Sequence, residues 1–220
     1  MKNVVVVGAT GLVGSAFVRQ ALADYPDLNI HAVVRRSTQV QHARYQESVA
    51  DTESWPQAII DARPDAIFCA LGTTIKDAGS KAAFRAVDFE LVAAVGAAAR
   101  QTKCRHFLSI SSGMADASAN SFYLQTKGAA EDTLIAQGFN RLDILRPGLL
   151  KGDRKQFRLG ESLAIAASPL MDRLMLGPMK KFRSIHADTV AKAALNLLSE
   201  GDAGAFVHEN NAIASLADSG

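Results

Sequence analysis

The feature that most constrains the fold of this chain is a glycine-rich turn between an apolar run and a helical pattern, close to its beginning. Residues 3–7 read Asn-Val-Val-Val-Val, and such a β-branched run is typical of a strand buried on both faces of a parallel sheet. Gly8, Gly11 and Gly14 follow directly. Apolar residues then recur at every fourth position over residues 13–21, which indicates a helix. This order predicts the first half of a β-α-β unit.

Strand and helix patterns continue to alternate along the chain. The sequence predicts strands at residues 30–34, 48–50, 65–70, 106–110, 142–145 and 204–207, and helices at residues 54–61, 81–101, 121–137 and 187–198. Such alternation is typical of a doubly wound parallel sheet with helices on both faces. The predicted fold class is therefore α/β, a Rossmann-type three-layer αβα fold. At 220 residues, we expect one NAD(P)-binding domain over residues 1–220.

Two segments break the alternation. Residues 151–182 are irregular, with a helical pattern at 161–175, and we expect them to form a small substrate-side extension of the pocket. Residues 210–220 are small and polar, and we expect a flexible tail.

Composition narrows the function classes. The chain has 24 Lys and Arg against 22 Asp and Glu, so composition does not indicate nucleic-acid binding. The apolar stretches are too short to span a bilayer, so no membrane partner is expected. Cys69 and Cys104 lack metal-ligand spacing, so no metal is predicted and both should be buried, reduced thiols. The first strand begins at Asn3 and leaves no space for a signal peptide, so we expect a cytoplasmic protein.

The glycine turn has the properties of a phosphate-binding site. The pyrophosphate of a dinucleotide needs backbone N–H donors at a helix N-terminus, where the helix dipole favours an anion. The alternative is a purely structural turn, but the strand before it and the helix after it favour nucleotide binding. The predicted cofactor-binding residues of the turn are Gly8, Thr10, Gly11, Leu12, Val13 and Gly14.

The end of the second predicted strand bears on cofactor choice. An acidic residue at this position would bind the ribose hydroxyls of NAD. This chain has Arg35 and Arg36 instead, and guanidinium groups suit a 2′-phosphate by charge and by forked hydrogen bonding. The alternative is a pair of solvent-exposed loop arginines. We predict that NADP(H) is preferred over NAD(H).

A third set of residues suggests hydride-transfer chemistry. Tyr123 and Lys127 are four residues apart in a predicted helix, and therefore lie on one helix face. A nearby ammonium favours the tyrosinate form, so such a phenol can donate or accept the proton that accompanies hydride transfer. Ser111 and Ser112 end the preceding strand, where a hydroxyl could hold the substrate oxygen. The alternative is an amphipathic helix with an exposed lysine.

Taken together, these motifs resemble the atypical branch of the short-chain dehydrogenase/reductase superfamily. Within it, the chain is most similar to the small NAD(P)-binding oxidoreductases related to the Tat-interacting protein. The resemblance covers nearly the whole chain. The motifs that carry it are residues 8–14, Leu71-Gly72-Thr73-Thr74, Val87-Asp88, Ser111-Ser112, Tyr123 to Lys127, Leu145-Arg146-Pro147-Gly148, Asp153-Arg154 and residues 185–191.

The resemblance implies a role for each site residue. Tyr123 would be the acid/base, Lys127 its activator and a ligand of the nicotinamide ribose, and Ser112 the ligand of the substrate oxygen, with Ser111 as its rival. The remaining cofactor-binding residues it implies are Leu71, Gly72 and Thr73 at the ribose and phosphates, Asp51 near the adenine and Pro147 at the nicotinamide.

Two departures from the superfamily pattern stand out. Many members have an asparagine after the fourth strand that supports a proton relay, whereas this chain has Asp88, which puts a relay of that kind in doubt. Longer relatives that epimerise nucleotide sugars also add a substantial C-terminal substrate region. Its near absence disfavours a nucleotide-sugar substrate.

The first functional hypothesis is an enzyme, an NADP(H)-dependent oxidoreductase that acts on a small carbonyl/alcohol pair by hydride transfer. The second is an NADP(H)-binding regulatory or redox-sensing protein that a protein partner recognises, because fold does not determine function. The third and weakest is a nucleotide-sugar epimerase or dehydratase. The expected partner is a small-molecule substrate, and the sequence leaves open both a protein partner and a monomeric or homodimeric state.

Overall fold

Seven parallel strands form the central sheet of the computed structural model, which describes residues 1–102, 104–152 and 183–219. In chain order the strands of the described residues are β1 (Lys2–Val7), β2 (Leu28–Val34), β3 (Tyr45–Val49), β4 (Ala66–Cys69), β5 (His106–Ile110), β6 (Arg141–Arg146), β7 (Leu150–Lys151), β8 (Ile185–His186) and β9 (Gly204–Glu209). The order across the sheet is β3-β2-β1-β4-β5-β6-β9, and β7 pairs with β8 in a separate parallel pair.

Helices cover both faces of the sheet. Those described are α1 (Leu12–Asp24), α2 (Trp55–Ala62), α3 (Ile75–Ala78), α4 (Lys81–Arg85), α5 (Val92–Arg100), α6 (Phe122–Ala136), α7 (Ala187–Leu197) and α8 (Asn210–Asp218). The helices α1, α7 and α8 pack on one face, and α2, α5 and α6 on the other. None of these helices has the length and apolar character needed to cross a bilayer. The predicted Rossmann-type α/β fold is confirmed.

The strand order reverses between β1 and β4, and a doubly wound fold forms its crevice at such a point. From β1 the chain adds β2 and β3 on one side, and then returns to place β4 on the other side of β1. In open parallel sheets, ligands bind at such a switch point, outside the carboxyl ends of the strands. The glycine turn at residues 8–14 follows β1 and therefore lies at this crevice.

Three predicted elements differ from the structure. The third strand begins at Tyr45 rather than Ser48, and the helix predicted at 81–101 is divided into α4, a π-helical turn at Ala86–Leu91 and α5. Residues 210–220 do not form the predicted flexible tail. Most of that segment is α8, which buries Ile213 and Ala217 against the core. These two apolar residues are four positions apart, so they share one helix face, and burying that face stabilises the helix. Of the irregular segment predicted at 151–182, Lys151 ends β7, and residues 153–182, with the predicted helix and Asp153-Arg154, lie outside the described residues.

Candidate functional site

The turn after β1 brings three backbone segments into direct contact. Gly8 has a φ of 86°, and a Cβ there would lie 2.6 Å from the Ala70 carbonyl oxygen at the end of β4. A Cβ on Gly14 would lie 2.1 Å from the Gly8 carbonyl oxygen. Only glycine fits at these two positions, because either side chain would overlap backbone atoms that cannot move away cheaply.

Gly11 sits at the N-cap of α1 and is much less crowded. Among the described residues, a Cβ there would meet the carbonyl oxygens of Gly8 at 3.2 Å and Ala70 at 3.9 Å. No side chain of the described residues caps α1, so the N–H groups of Leu12, Val13 and Gly14 at its first turn have no intrahelical acceptor. Uncapped donors at a helix N-terminus fit the pyrophosphate of a dinucleotide. Thr10 is exposed at the same turn.

The residues predicted for the adenosine end lie on the same side of the sheet. Arg35 and Arg36 directly follow β2, the neighbour of β1, and both are exposed. Asp51 follows β3 and is the exposed N-cap of the short 3₁₀ turn Thr52–Ser54. All three therefore belong to the carboxyl edge that carries the glycine turn.

Tyr123 and Lys127 lie one turn apart near the start of α6. The predicted exposed-lysine alternative is wrong, because Lys127 is only 5% exposed. Its Nζ lies 2.7 Å from Asp88 Oδ1. Tyr123 is half-buried, and its ring packs against Phe84 with the ring centroids 5.4 Å apart.

Asp88 connects Lys127 to the loop after β4. It is fully buried in the π-helical turn Ala86–Leu91 between α4 and α5. Its Oδ2 accepts a hydrogen bond of 2.9 Å from the Thr73 amide, while its Oδ1 faces Lys127. Gly72 adjoins the pair, because a Cβ there would lie 3.6 Å from Lys127 Nζ and 3.7 Å from Asp88 Oδ1. Leu71, at the start of this loop, is buried.

Asp88 put a proton relay of the asparagine type in doubt at the sequence level, and the structure shows which contact it makes. Where an asparagine would support a relay, the structure has a carboxylate paired directly with the site lysine. Phe84 and Asp88 are four residues apart and contact Tyr123 and Lys127, which are also four residues apart. Sequence reasoning missed Phe84, and this matching spacing on two neighbouring helices was the available signal.

The two serines after β5 have different surroundings. Ser111 is buried and its hydroxyl donates to Glu131 of α6. Glu131 also accepts two-pronged hydrogen bonds from Arg146, with Nη2 2.5 Å from Oε2 and Nε 3.0 Å from Oε1. Ser112 is half-buried, and its hydroxyl makes only a 3.3 Å contact with the Gly113 carbonyl oxygen among the described residues. Among the described residues, the Ser112 hydroxyl is therefore held much less firmly than that of Ser111.

Arg146 and Glu131 form a second ion pair of the site region, next to Ser111. The hydrogen bonds that Arg146 donates to Glu131 raise the pKa of the Arg146 guanidinium, ahead of the opposing effect of burial, so this side chain stays charged. Arg146 Nη1 reaches Glu209 Oε1 at 3.2 Å, which ties the end of β6 to the end of β9. Sequence reasoning missed Glu131, because its contacts join residues up to 20 positions apart.

Pro147 joins the ends of β5 and β6. It is buried, and its carbonyl oxygen accepts a 3.1 Å hydrogen bond from the Gly113 amide. The loop that carries Ser112 is thereby fixed beside the segment that the resemblance assigns to the nicotinamide.

The two cysteines are buried and reduced, as predicted. Burial raises the pKa of both Cys69 and Cys104 to about 11, so neither is a reactive thiolate at neutral pH.

Comparison with known proteins identifies similar sequences. Residues 8–201 match a family model described as NAD(P)H-binding. The chain is 34% identical to the mitochondrial protein FMP52 of Eremothecium gossypii, over 97% of this chain and 96% of the relative. It is 32% identical to the mitochondrial protein fmp52 of Aspergillus niger, over 89% and 86%. The expectation of a cytoplasmic protein is contradicted, because these relatives are named as mitochondrial proteins.

Solved structures share the fold at low sequence identity. The Bordetella bronchiseptica enzyme WbmH, in complex with NAD⁺, superimposes with a TM-score of 0.72 at 18% identity, over 99% of this chain and 79% of that chain. ADP-L-glycero-D-manno-heptose-6-epimerase of Helicobacter pylori superimposes with a TM-score of 0.69 at 14% identity, over 99% and 82%. At these identities the similarity concerns the fold alone.

Proposed function

Because the chain belongs to the NAD(P)H-binding family, within the atypical short-chain dehydrogenase/reductase superfamily, we propose that it is an NADP(H)-dependent oxidoreductase acting on a small carbonyl/alcohol pair. In this proposal Tyr123 is the acid/base and Lys127 supports it. Ser112 binds the substrate oxygen.

The observation that carries this proposal is the buried ammonium of Lys127, one helical turn from Tyr123. Burying a charged amine is unfavourable unless a counter-charge compensates it, and Asp88 supplies that charge at 2.7 Å. A helix that needed only a solvent-facing surface would not bury a lysine and an aspartate here. Ser112 follows β5, and Tyr123 and Lys127 lie near the start of α6, which comes next in the chain. All three therefore belong to the carboxyl edge of the sheet, which also carries the glycine turn, and in this proposal one ligand at that edge meets all of them.

The residues of the chain divide the reaction between them. When bound, a nicotinamide would supply the hydride for carbonyl reduction and accept it in alcohol oxidation. The Tyr123 hydroxyl donates its proton to the carbonyl oxygen, and the Ser112 hydroxyl donates a hydrogen bond to the same oxygen. The Lys127 ammonium stabilises the tyrosinate that remains. In the direction of alcohol oxidation, the tyrosinate accepts the proton of the alcohol instead.

The remaining residues hold the dinucleotide. The first turn of α1 and Thr10 bind the pyrophosphate, with Gly8, Gly11 and Gly14 giving it close access to the backbone. Arg35 and Arg36 bind the 2′-phosphate through forked hydrogen bonds. The other proposed contacts are Leu71, Gly72 and Thr73 at the ribose and phosphates, Asp51 near the adenine, Lys127 at the nicotinamide ribose and Pro147 at the nicotinamide.

A Tyr123→Phe variant tests the acid/base role. We expect kcat for NADPH-dependent reduction of a panel of small aldehydes and ketones to fall by about 10²–10⁴-fold, because the proton donor is lost. The Kd for NADPH should stay within about twofold, since the ring and its packing on Phe84 remain. Tyr25→Phe is the matched control, because Tyr25 bonds Asn196 on the face of the sheet covered by α1 and α7.

The same experiment distinguishes the regulatory alternative. Turnover that survives in Tyr123→Phe would contradict the acid/base role. A wild-type protein that binds NADPH and reduces none of the panel would instead favour an NADP(H)-binding regulator.

A further inference from the structure

The loop from residue 35 to residue 44 joins β2 to β3, and begins with the two arginines assigned to the 2′-phosphate. Both Arg35 and Arg36 are exposed, and neither forms an ion pair with any residue that the structure describes. Two long side chains on a mobile backbone would lose much conformational entropy on binding one phosphate. What holds this loop therefore bears directly on how well the arginines can bind.

Glu47 on β3 forms hydrogen bonds with the part of the loop that directly follows Arg35 and Arg36. Its Oε2 accepts hydrogen bonds from the Thr38 amide at 3.0 Å, the Thr38 hydroxyl at 2.8 Å and the Tyr45 hydroxyl at 3.2 Å. The Thr38 and Tyr45 hydroxyl oxygens also lie 2.6 Å apart. Hydrogen bonds from Ser37 and then from Thr38 lower the pKa of the Glu47 carboxyl, so it is ionised at neutral pH.

The other end of the loop is fixed by a different residue. The Arg44 guanidinium donates to the carbonyl oxygens of Leu22 at 2.6 Å, Tyr25 at 2.8 Å and Leu28 at 2.8 Å. This fork ties the loop to the end of α1 and the start of β2. Arg44 therefore anchors the end of the loop that precedes β3, and the Glu47 contacts anchor the end that follows β2 and carries Arg35 and Arg36.

The hydrogen-bond partners of Glu47 leave the arginines available. They are neutral hydroxyls and a backbone amide. Their hydrogen bonds stabilise the negative charge of the carboxylate, so it does not need a guanidinium partner. A carboxylate whose main partner was Arg35 or Arg36 would compete with a phosphate for it.

We propose that Glu47 is a positioning residue for cofactor selectivity: by holding Thr38, it fixes the backbone that presents Arg35 and Arg36 to the 2′-phosphate. Glu47 itself need not touch the cofactor. The inference rests on the proposed preference for NADP(H), and identifies the residue outside the binding surface on which that preference depends.

Glu47→Gln and Glu47→Ala test this role through cofactor affinity. We expect the Kd for NADPH to rise about tenfold, equivalent to about 1.4 kcal/mol, and the Kd for NADH to change by less than about twofold. Glu53→Gln removes the same charge from an exposed side chain and is the matched control. An unchanged or tighter Kd for NADPH in both Glu47 variants would overturn the proposal, as would an equal loss for both cofactors. A tighter Kd would mean that the carboxylate acts mainly by repelling the phosphate.

Limited proteolysis provides a second readout that needs no cofactor. Trypsin cleaves after arginine, so cleavage after Arg35 and Arg36 reports the order of this segment in the free protein. We expect faster cleavage there in both Glu47 variants than in wild type or Glu53→Gln. Equal cleavage rates would overturn the role of Glu47 in holding the loop.

The two readouts separate the inference from the proposed function. If wild type prefers NADH while the Glu47 variants are cleaved faster, the cofactor assignment fails and the structural role of Glu47 stands. Tyr45→Phe removes one hydroxyl and keeps the carboxylate, and should change both readouts in the same direction by a smaller factor. It serves as the test variant if the Glu47 variants fail to fold.

Discussion

At the scale of single residues, the three glycines of the turn have different physical roles. Gly8 and Gly14 are required by contacts within the protein, because a Cβ at either would overlap backbone atoms. Gly11 has a φ of −76° and a ψ of 171°, which any residue adopts, and a Cβ there would make a tight contact of 3.2 Å with the Gly8 carbonyl oxygen but would not overlap it. Contacts within the protein therefore do not require a glycine at position 11, and the close approach of a pyrophosphate to the backbone explains it better.

This difference predicts opposite behaviour for two alanine variants. Gly14→Ala should lower the free energy of unfolding by more than about 3 kcal/mol, because the new Cβ overlaps the Gly8 carbonyl. Gly11→Ala should change it by less than about 1 kcal/mol, yet weaken NADPH binding at least about tenfold. Denaturant unfolding and NADPH titration of both variants give the four values. A Gly11→Ala protein that binds NADPH as tightly as wild type would contradict the assignment of the turn.

The sequence identified single residues where chemistry and spacing were informative. It pointed to Tyr123 and Lys127 as a pair, but could not choose between Ser111 and Ser112. That choice depends on Glu131, whose side chain reaches Ser111 only after α6 has packed beside β5. Local sequence does not encode such a contact, so the direction of either hydroxyl could not be predicted.

At the scale of secondary-structure elements, α4 with its following π-helical turn supports the start of α6. Phe84 packs on the Tyr123 ring, and Asp88 pairs with Lys127. π-Helical turns often occur at functional sites, where they shift the side chains that follow them. This one places Asp88 between Lys127 and the Thr73 amide, so one carboxylate links α6 to the loop after β4.

Asp88→Asn tests this link. The amide can still accept from Thr73, but Lys127 loses its counter-charge in a buried site, so we expect the free energy of unfolding to fall by about 3 kcal/mol and kcat to fall with it. Asp188→Asn is the control, because Asp188 pairs with Arg19 at 2.5 Å on an exposed surface and should cost less than about 1 kcal/mol. Equal losses in denaturant unfolding for the two variants would contradict a special role for Asp88.

Helices and strands were predicted well where the hydrophobic pattern repeats over many residues. The prediction failed where contacts between distant segments determine whether a helix forms. The alternation of strands and helices predicted the order of elements along most of the chain. The segment that forms α8 looked too small and polar to fold, although Ile213 and Ala217 share one face. Its stability comes from packing on α7 rather than from its own composition, which a local pattern cannot show.

At the scale of the whole molecule, the parallel sheet explains how residues far apart in sequence meet at one edge. Every strand of the described seven-stranded sheet points the same way, so the segments that follow β1, β2, β4, β5 and β6 all emerge at the carboxyl side. This arrangement was predictable from alternation, because β-α-β crossovers force parallel neighbours. The cofactor preference was not settled by it, since the exposure of Arg35 and Arg36 suits either a phosphate site or an ordinary surface loop.

The most direct test of the account is calorimetric titration of the folded protein with NADPH and NADH, repeated on an Arg35→Ala and Arg36→Ala double variant. We predict binding near one dinucleotide per chain, with a Kd for NADPH at least about tenfold lower than for NADH, and loss of that difference in the double variant. The absence of heat with either dinucleotide would contradict the assignment of the glycine turn. Tighter binding of NADH, or a preference for NADPH that survives in the double variant, would contradict the role of the arginines.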